Sequence, residues 1–153
     1  MSNLDAFLTM IALSEGTQNI PGGDNGYRVI VGSTPQKPIL FDSYADHPRR
    51  LIELRPGLSS TAAGRYQILE RYYDTYKMLL GLPDFSPASQ DALARQMITE
   101  HDALMDVLEG DLEDAIKKCA TIWASLPGNT YGQHENTFTA LTAAFTTAGG
   151  KLT

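Results

Sequence analysis

One cysteine, Cys119, stands in the 153 residues, so no internal disulfide can form. Basic residues are missing over long stretches. None precedes Arg28, which leaves the N-terminus without the positive start of a secretory leader. None occurs from Gln96 to Ile116 either, where Glu100, Asp102, Asp106, Glu109, Asp111, Glu113 and Asp114 are all acidic. That stretch repels a phosphate backbone and reads as a solvated face, so nucleic acid is not an expected partner. No run approaches the roughly 20 apolar residues of a membrane helix, so no membrane insertion is expected. The histidines, His47, His101 and His134, lie far apart without paired ligand spacing. Neither a metal site nor a cofactor is expected from them.

What is present reads as globular. Apolar residues make up 42% and charged residues 20%, enough chain and apolar content for one domain spanning 1–153. The formal charge is −6, yet Arg28, Arg49, Arg50, Arg55 and Arg65 gather in the first half. The opening segment shows helical spacing. Leu4, Leu8, Ile11 and Glu15 are four, three and four residues apart, and Phe7 and Ala12 widen the stripe. Ser2 or Asn3 can cap the start, Asp5 suits the first turn, and Gly16 suits the position past the end. Glu15 therefore sits on the apolar stripe and in the last turn. Both placements disfavour its anion, through desolvation and through the negative helix end. A carboxyl kept protonated near neutral pH is what a general acid requires. A helix-terminal Glu can also turn out to water, and the helix pattern alone leaves both readings open.

Residues 16–64 change character. Gly and Pro recur in "IPGGDNGY", "GSTPQKP" and "LRPGLSS". Between them lie short β-type runs, "YRVIV" (27–31), "ILF" (39–41) and "RLIEL" (50–54). This predicts a small irregular sheet lobe over about 20–64. A helical lobe is predicted from 1–16 and 66–150. Its helices carry Ile68, Tyr72, Tyr76 and Leu79 up to Gly81, then Leu93, Met97 and Leu104 after Ser86-Pro87. Leu112, Ala115, Ile116, Cys119, Ile122 and Trp123 follow on a further stripe, which makes Cys119 and Trp123 core residues. A last helix carries Phe138, Leu141, Ala144 and Phe145 and stops at Gly149-Gly150. The plan is α+β, with a cleft expected between the lobes.

Glu15 before the sheet lobe and "STAAGRYQ" (60–67) after it resemble the lysozyme superfamily. "SEGT" with "AGRYQ" resembles the signatures of lytic transglycosylases. "GYRVIVG", "DHPRRL", "STAAGRYQIL", "LGLPDFSPASQDA", "IWASLPGNTYGQ" and "AGG" follow the order and spacing of the lambda-type phage endolysins, over roughly residues 6–150. The resemblance implies a lysozyme-like α+β fold. It also implies cleavage of the β-1,4 bond between N-acetylmuramic acid and N-acetylglucosamine in peptidoglycan, without hydrolysis, leaving 1,6-anhydromuramic ends.

On this resemblance Glu15 is the general acid and base. Tyr66 and Gln67 match the family's cleft-lining element, although Tyr66 also reads as a core aromatic. Tyr131 and Gln133 in "NTYGQ" and the flanking Ser14 and Thr17 are further candidates for substrate contact. Gly64 fits a close backbone approach or a tight turn. A hydrolysing muramidase would need a second carboxylate, for which Asp24, Asp42, Asp46 and Glu53 are candidates. Relatives often carry an acid directly after the Tyr of the "GY" element, where this chain has Arg28. A glycan-binding module without turnover is the other alternative, against which the intact "SEGT" and "AAGRYQ" speak. The implied partner is a peptidoglycan glycan strand, met by a monomer. The protein would be held in the host cytoplasm until a separate membrane-permeabilising protein lets it reach the wall in the periplasm.

Overall fold

The computed structural model describes residues 2–128 and 135–153. Candidates Tyr131 and Gln133 lie outside the described residues. The described elements are six helices and one hairpin: α1 (Asn3–Ser14), β1 (Ile52–Arg55), β2 (Leu58–Ser60), α2 (Glu70–Leu80), α3 (Pro87–Glu100), α4 (Leu104–Glu109), α5 (Leu112–Cys119) and α6 (Phe138–Thr147). This is the α+β plan expected. No helix among the described residues is long and apolar enough to cross a membrane. The chain divides into two compact units, one from residues up to Glu15 with Ala94–Thr153, the other from Gly16–Leu93. The second division falls inside α3.

The first unit is helical. Ser2 caps α1 in a reciprocal box with Asp5, satisfying backbone donors that the helix start leaves open. Phe7, Met10 and Ile11 on α1 are fully buried, and the helix packs on α4 and α6. Each such side chain stabilises the unit by roughly 1.5–3 kcal/mol relative to exposure. Val107, Ile116, Leu126 and Phe145 complete this core, with Cys119 and Trp123 inside it as expected. The Asn3 amide donates to the carbonyls of Leu108 (3.2 Å) and Lys151 (3.0 Å), and its oxygen accepts from Lys151 N–H (2.8 Å). Thr153 N–H in turn reaches Gly110 O at 3.1 Å. The chain's last residues are thereby fastened to α1 and to the turn after α4.

Two helix limits differ from the sequence expectation. Leu104 does not belong to α3. Ala103 N–H returns to Ile98 O (3.1 Å), Asp102 takes φ +55°, and Leu104 opens α4. Likewise α5 stops at Cys119. Ile122 and Trp123 follow in a turn whose N–H groups both reach back to Cys119 O.

The second unit holds the hairpin. Strands β1 and β2 pair antiparallel, with Ile52 opposite Ser60 and an irregularity between Glu53 and Arg55. "YRVIV" and "ILF" do not become strands. They meet in a single bridge, Val29 to Leu40, and Ile30 bridges instead to Ala63. The cause is a change of partner at successive residues. Ile30 N–H bonds Ile39 O, Val31 N–H bonds Ala62 O, and Gly32 at φ +86° then turns the chain. The core is aromatic: Tyr73 and Phe85 stack edge-on at 5.0 Å, and His47 lies 5.0 Å from Phe85. Helix α2 enters this core through Tyr73, which is fully buried, while Tyr72 and Leu79 of the expected stripe are 41% and 60% exposed. Ile68 lies ahead of the helix, bridged to Ala63. A single ring seated among aromatics outweighs the longer apolar stripe, which rotates α2 by one residue.

Candidate active site

Glu15 terminates α1. Its N–H still bonds Ile11 O at 2.8 Å, and Gly16 then turns the chain at φ +78°. Helical φ and ψ (−78°, −6°) keep Glu15 on the helix rather than splayed from it. The side chain is half-buried and does not swing out to water. Burial pushes its carboxyl above the ordinary range, and a hydrogen bond from Ser125 partly opposes this. Ser125 Oγ donates to Glu15 Oε2 at 2.5 Å.

Ser125 stands in a small polar network of the same unit. Its hydroxyl is 2.7 Å from Ser14 Oγ. Asn136 Nδ2 donates to Ser14 O (3.1 Å) and to Ser14 Oγ (2.9 Å), and Asn136 N–H bonds Ser125 O (2.8 Å). The acid is thus held by a helix end, a turn residue and the residue just before α6. Such an arrangement can keep a neutral carboxyl poised for donation and steady its anion afterwards.

Thr17 points elsewhere. It is buried in the second unit, where its hydroxyl donates to Arg65 O at 2.6 Å. Gly26, at φ +96°, lies over it so closely that a Cβ there would stand 2.8 Å from Thr17 Oγ1. Tyr66 is 1% exposed, its phenol donating to Asp91 Oδ1 at 2.5 Å. Tyr27 donates to the same carboxylate at 2.9 Å and meets the Tyr66 ring edge-on. Burial, followed by the Asp91 anion, raises the Tyr66 phenol, so it stays protonated. Gln67, at φ +53°, donates its amide to Gly64 O (2.9 Å) and Val29 O (3.3 Å), closing the turn that "AAGRYQ" forms. Gly64 shows the close approach expected of it. A Cβ there would lie 2.4 Å from Gln90 Oε1, which accepts from Arg65 N–H. The "AGRYQ" element therefore builds a rigid, internally bonded turn.

The possible second carboxylates are all engaged or exposed. Asp24 accepts from the Tyr44 phenol. Asp42 pairs with Arg28 at 3.2 Å, and Asp46 with Arg49 at 2.8 Å, where Glu70 and Asp74 join the same guanidinium. Glu53 is exposed on β1. Among the described residues one acidic trio, Asp106, Asp111 and Asp114, brings its oxygens together. Lys118 already neutralises Asp106 at 2.6 Å, and Asp111 caps α5. Burial pushes the Cys119 thiol up to about 12, which makes it inert.

Sequence reasoning missed Ser125, Asn136 and Asp91. Ser125 lies inside the quoted "IWASLPGNTYGQ", which marks the segment but not the hydroxyl that reaches Glu15.

Comparison with known proteins follows the same lines. A family model described as Endolysin matches residues 5–152. The endolysin of Escherichia phage lambda is 52% identical over 149 residues, covering 96% of this chain and 91% of that protein. The endolysin of Escherichia phage P2 is 49% identical over 154 residues, covering 97% and 93%. A solved structure of bacteriophage lambda lysozyme complexed with a chitohexasaccharide is 50% identical. It superposes with a TM-score of 0.93, over 100% of this chain and 98% of that one.

Proposed function

The chain belongs to the endolysin family, with the lysozyme-like fold of its lambda relative, and from that premise we propose that it cleaves the glycan strand of bacterial peptidoglycan by lytic transglycosylation. The bond cut is the β-1,4 link from N-acetylmuramic acid to N-acetylglucosamine, and Glu15 is the acid and base. One observation carries the reading. Glu15 is a half-buried helix-end carboxyl with raised proton affinity and a hydroxyl donor on one oxygen.

In the first half, Glu15 protonates the glycosidic oxygen as the bond to C1 breaks. In the second, the muramic 6-hydroxyl attacks C1, and the Glu15 anion takes its proton. The ring closes on itself and no water is consumed. An internal nucleophile can act at an effective molarity on the order of 10⁵–10⁸ M, so it outruns water once the ring is held in register. Two-carboxylate hydrolysis needs a free partner to activate water or to attack the sugar. Asp24 and Asp46 are engaged with Tyr44 and Arg49, which favours the single-acid route, while a hydrolysing muramidase would have to draw on the exposed Asp42 or Glu53. The lambda relative's complex with an oligosaccharide supports a glycan as ligand. Gln67, Tyr131 and Gln133 remain proposed substrate contacts, Ser14 acts through Glu15, and Thr17 and Tyr66 act by supporting the turns they are bonded into.

In the host, the protein works as a monomer. It waits in the cytoplasm until a separate membrane-permeabilising protein opens the way to the periplasm. Fractionating lysing cells with and without that permeabiliser tests this, and activity in the periplasm without it would refute it. The chemistry is tested by mass spectrometry of digested wall. Anhydro ends, one water lighter than reducing ends, are expected. Reducing ends alone would replace this reading with a hydrolysing muramidase.

A further inference from the structure

The hydrogens around Glu15 can be counted one by one. Asn136 Nδ2 faces the backbone carbonyl of Ser14 at 3.1 Å. A carbonyl only accepts, so the amide must present its nitrogen there, and its orientation is fixed. The same NH₂ group lies 2.9 Å from Ser14 Oγ and donates to it. The Ser14 hydrogen then has one acceptor among the described residues, Ser125 Oγ at 2.7 Å. Ser125 has a single hydrogen, and Glu15 Oε2 receives it at 2.5 Å.

We propose that Asn136, Ser14 and Ser125 form a one-way chain of donors that ends on Glu15 Oε2, so that the acidic proton of the resting enzyme resides on Oε1. The inference rests on Glu15 being the general acid. The opposite arrangement fails on its own hydrogens. A proton on Oε2 would point at Ser125 Oγ, and the Ser125 hydrogen would have to turn to Ser14 Oγ. Ser14 Oγ already takes the amide, and its own hydrogen would then lack an acceptor among the described residues. Leaving such a donor without a protein acceptor disfavours that state.

The consequence is directional. Oε1 gives the proton to the leaving oxygen and later takes the one from the 6-hydroxyl. Oε2 stays tied to Ser125 throughout, so the carboxyl keeps one orientation through both halves. Ser125, Ser14 and Asn136 are positioning residues, acting on the substrate only through Glu15.

Isotope-edited infrared spectroscopy of the protonated Glu15 carboxyl tests this, with Glu15→Gln assigning the band. The C=O stretch is expected at low wavenumber in the parent, because Oε2 accepts a hydrogen bond. It should rise in Ser125→Ala, rise less in Ser14→Ala and Asn136→Ala, and return in Ser125→Thr. In Ser125→Ala, kcat should fall about tenfold with KM unchanged. The alkaline limb of its pH–rate profile should move upward, since the lost bond held the carboxyl down. A band unmoved in both Ser125→Ala and Ser14→Ala overturns the inference, and Ser14→Ala keeps the test open if position 125 does not tolerate Ala. The band responds whether or not wall is cleaved. An unmoved band with anhydro products rejects this inference alone. A responsive band with reducing products upholds it and rejects transglycosylation instead.

Discussion

Replacing Glu15 by Gln should produce an enzyme that is nearly dead and yet more robust. Gln keeps the length of the side chain and an oxygen to accept from Ser125. It removes the transferable proton. General acid–base groups contribute about 10²–10⁴-fold, and on the proposed route one group serves both halves, so a loss of at least about 10³-fold in lytic rate is expected. The stability effect follows from the same burial. Burial raises the Glu15 carboxyl above its ordinary 4.5, so the folded protein holds that proton more tightly than the unfolded chain. Glu15 is therefore harmless to stability below the unfolded value. It becomes destabilising as pH rises through the folded value, where the half-buried side chain must ionise. Every tenfold change in an acidity constant corresponds to about 1.4 kcal/mol. Glu15→Gln should therefore melt above the parent at neutral to alkaline pH, and the gain should vanish in acid. Thermal melts of parent and variant from acid to mildly alkaline pH, beside turbidity loss of wall suspensions, read both effects. A variant retaining a tenth of parental lysis, or melting in parallel with the parent at every pH, would refute the reasoning.

Other expectations are simpler. Gly64→Ala sets a Cβ 2.4 Å from Gln90 Oε1, and Gln90 is held by Arg65 N–H and by the carbonyls of Tyr27 and Phe85. With φ +83° also unfavourable, a loss of about 3 kcal/mol is expected, seen as a fall in Tm of about 6–12 °C. His47 donates from Nε2 to Ile68 O and accepts from Arg49 N–H at Nδ1, which fixes the neutral ring. Burial depresses its affinity for a proton below the ordinary 6.5. The stability this contributes is present above pH 6.5 and is lost as pH falls through the depressed value. Urea midpoints over that window should drop more steeply in the parent than in His47→Gln. Gly110→Ala would bring a Cβ to 2.1 Å from Lys151 O, so residues 151–153 must lift away. Faster carboxypeptidase trimming reports it, and unchanged trimming counts against the close approach.

How much of this was legible beforehand depended on the range of the interaction. Local chemistry was readable. The Ser2 cap, the Ser86-Pro87 start and the Gly81 stop all act within one helical turn, and each stands where spacing placed it. Glu15 at the end of an apolar helix was readable for the same reason, and Gly64 because only close approach or a tight turn explains it. What failed was long-range. Periodicity could not tell Tyr72 from Tyr73, because both lie on plausible stripes and the aromatic pair His47 and Phe85 makes the choice. "YRVIV" has the composition of a strand, but its bridge partners are single residues 11 and 33 positions away. Ser125 and Asn136 reach the Glu15 segment across 110 and 122 positions, and nothing in the spacing of a serine or an asparagine announces that.

Asn3, near the beginning of α1, grips the backbone of Lys151, and the far end of that rod presents Glu15. A load applied after Thr153 is therefore passed, through the tie at residue 151, to the helix whose far end carries the Glu15 carboxyl. The same helix begins at Asn3, behind the Ser2 cap, so an affinity tag or fusion partner at either end needs a linker long enough to leave that grip slack.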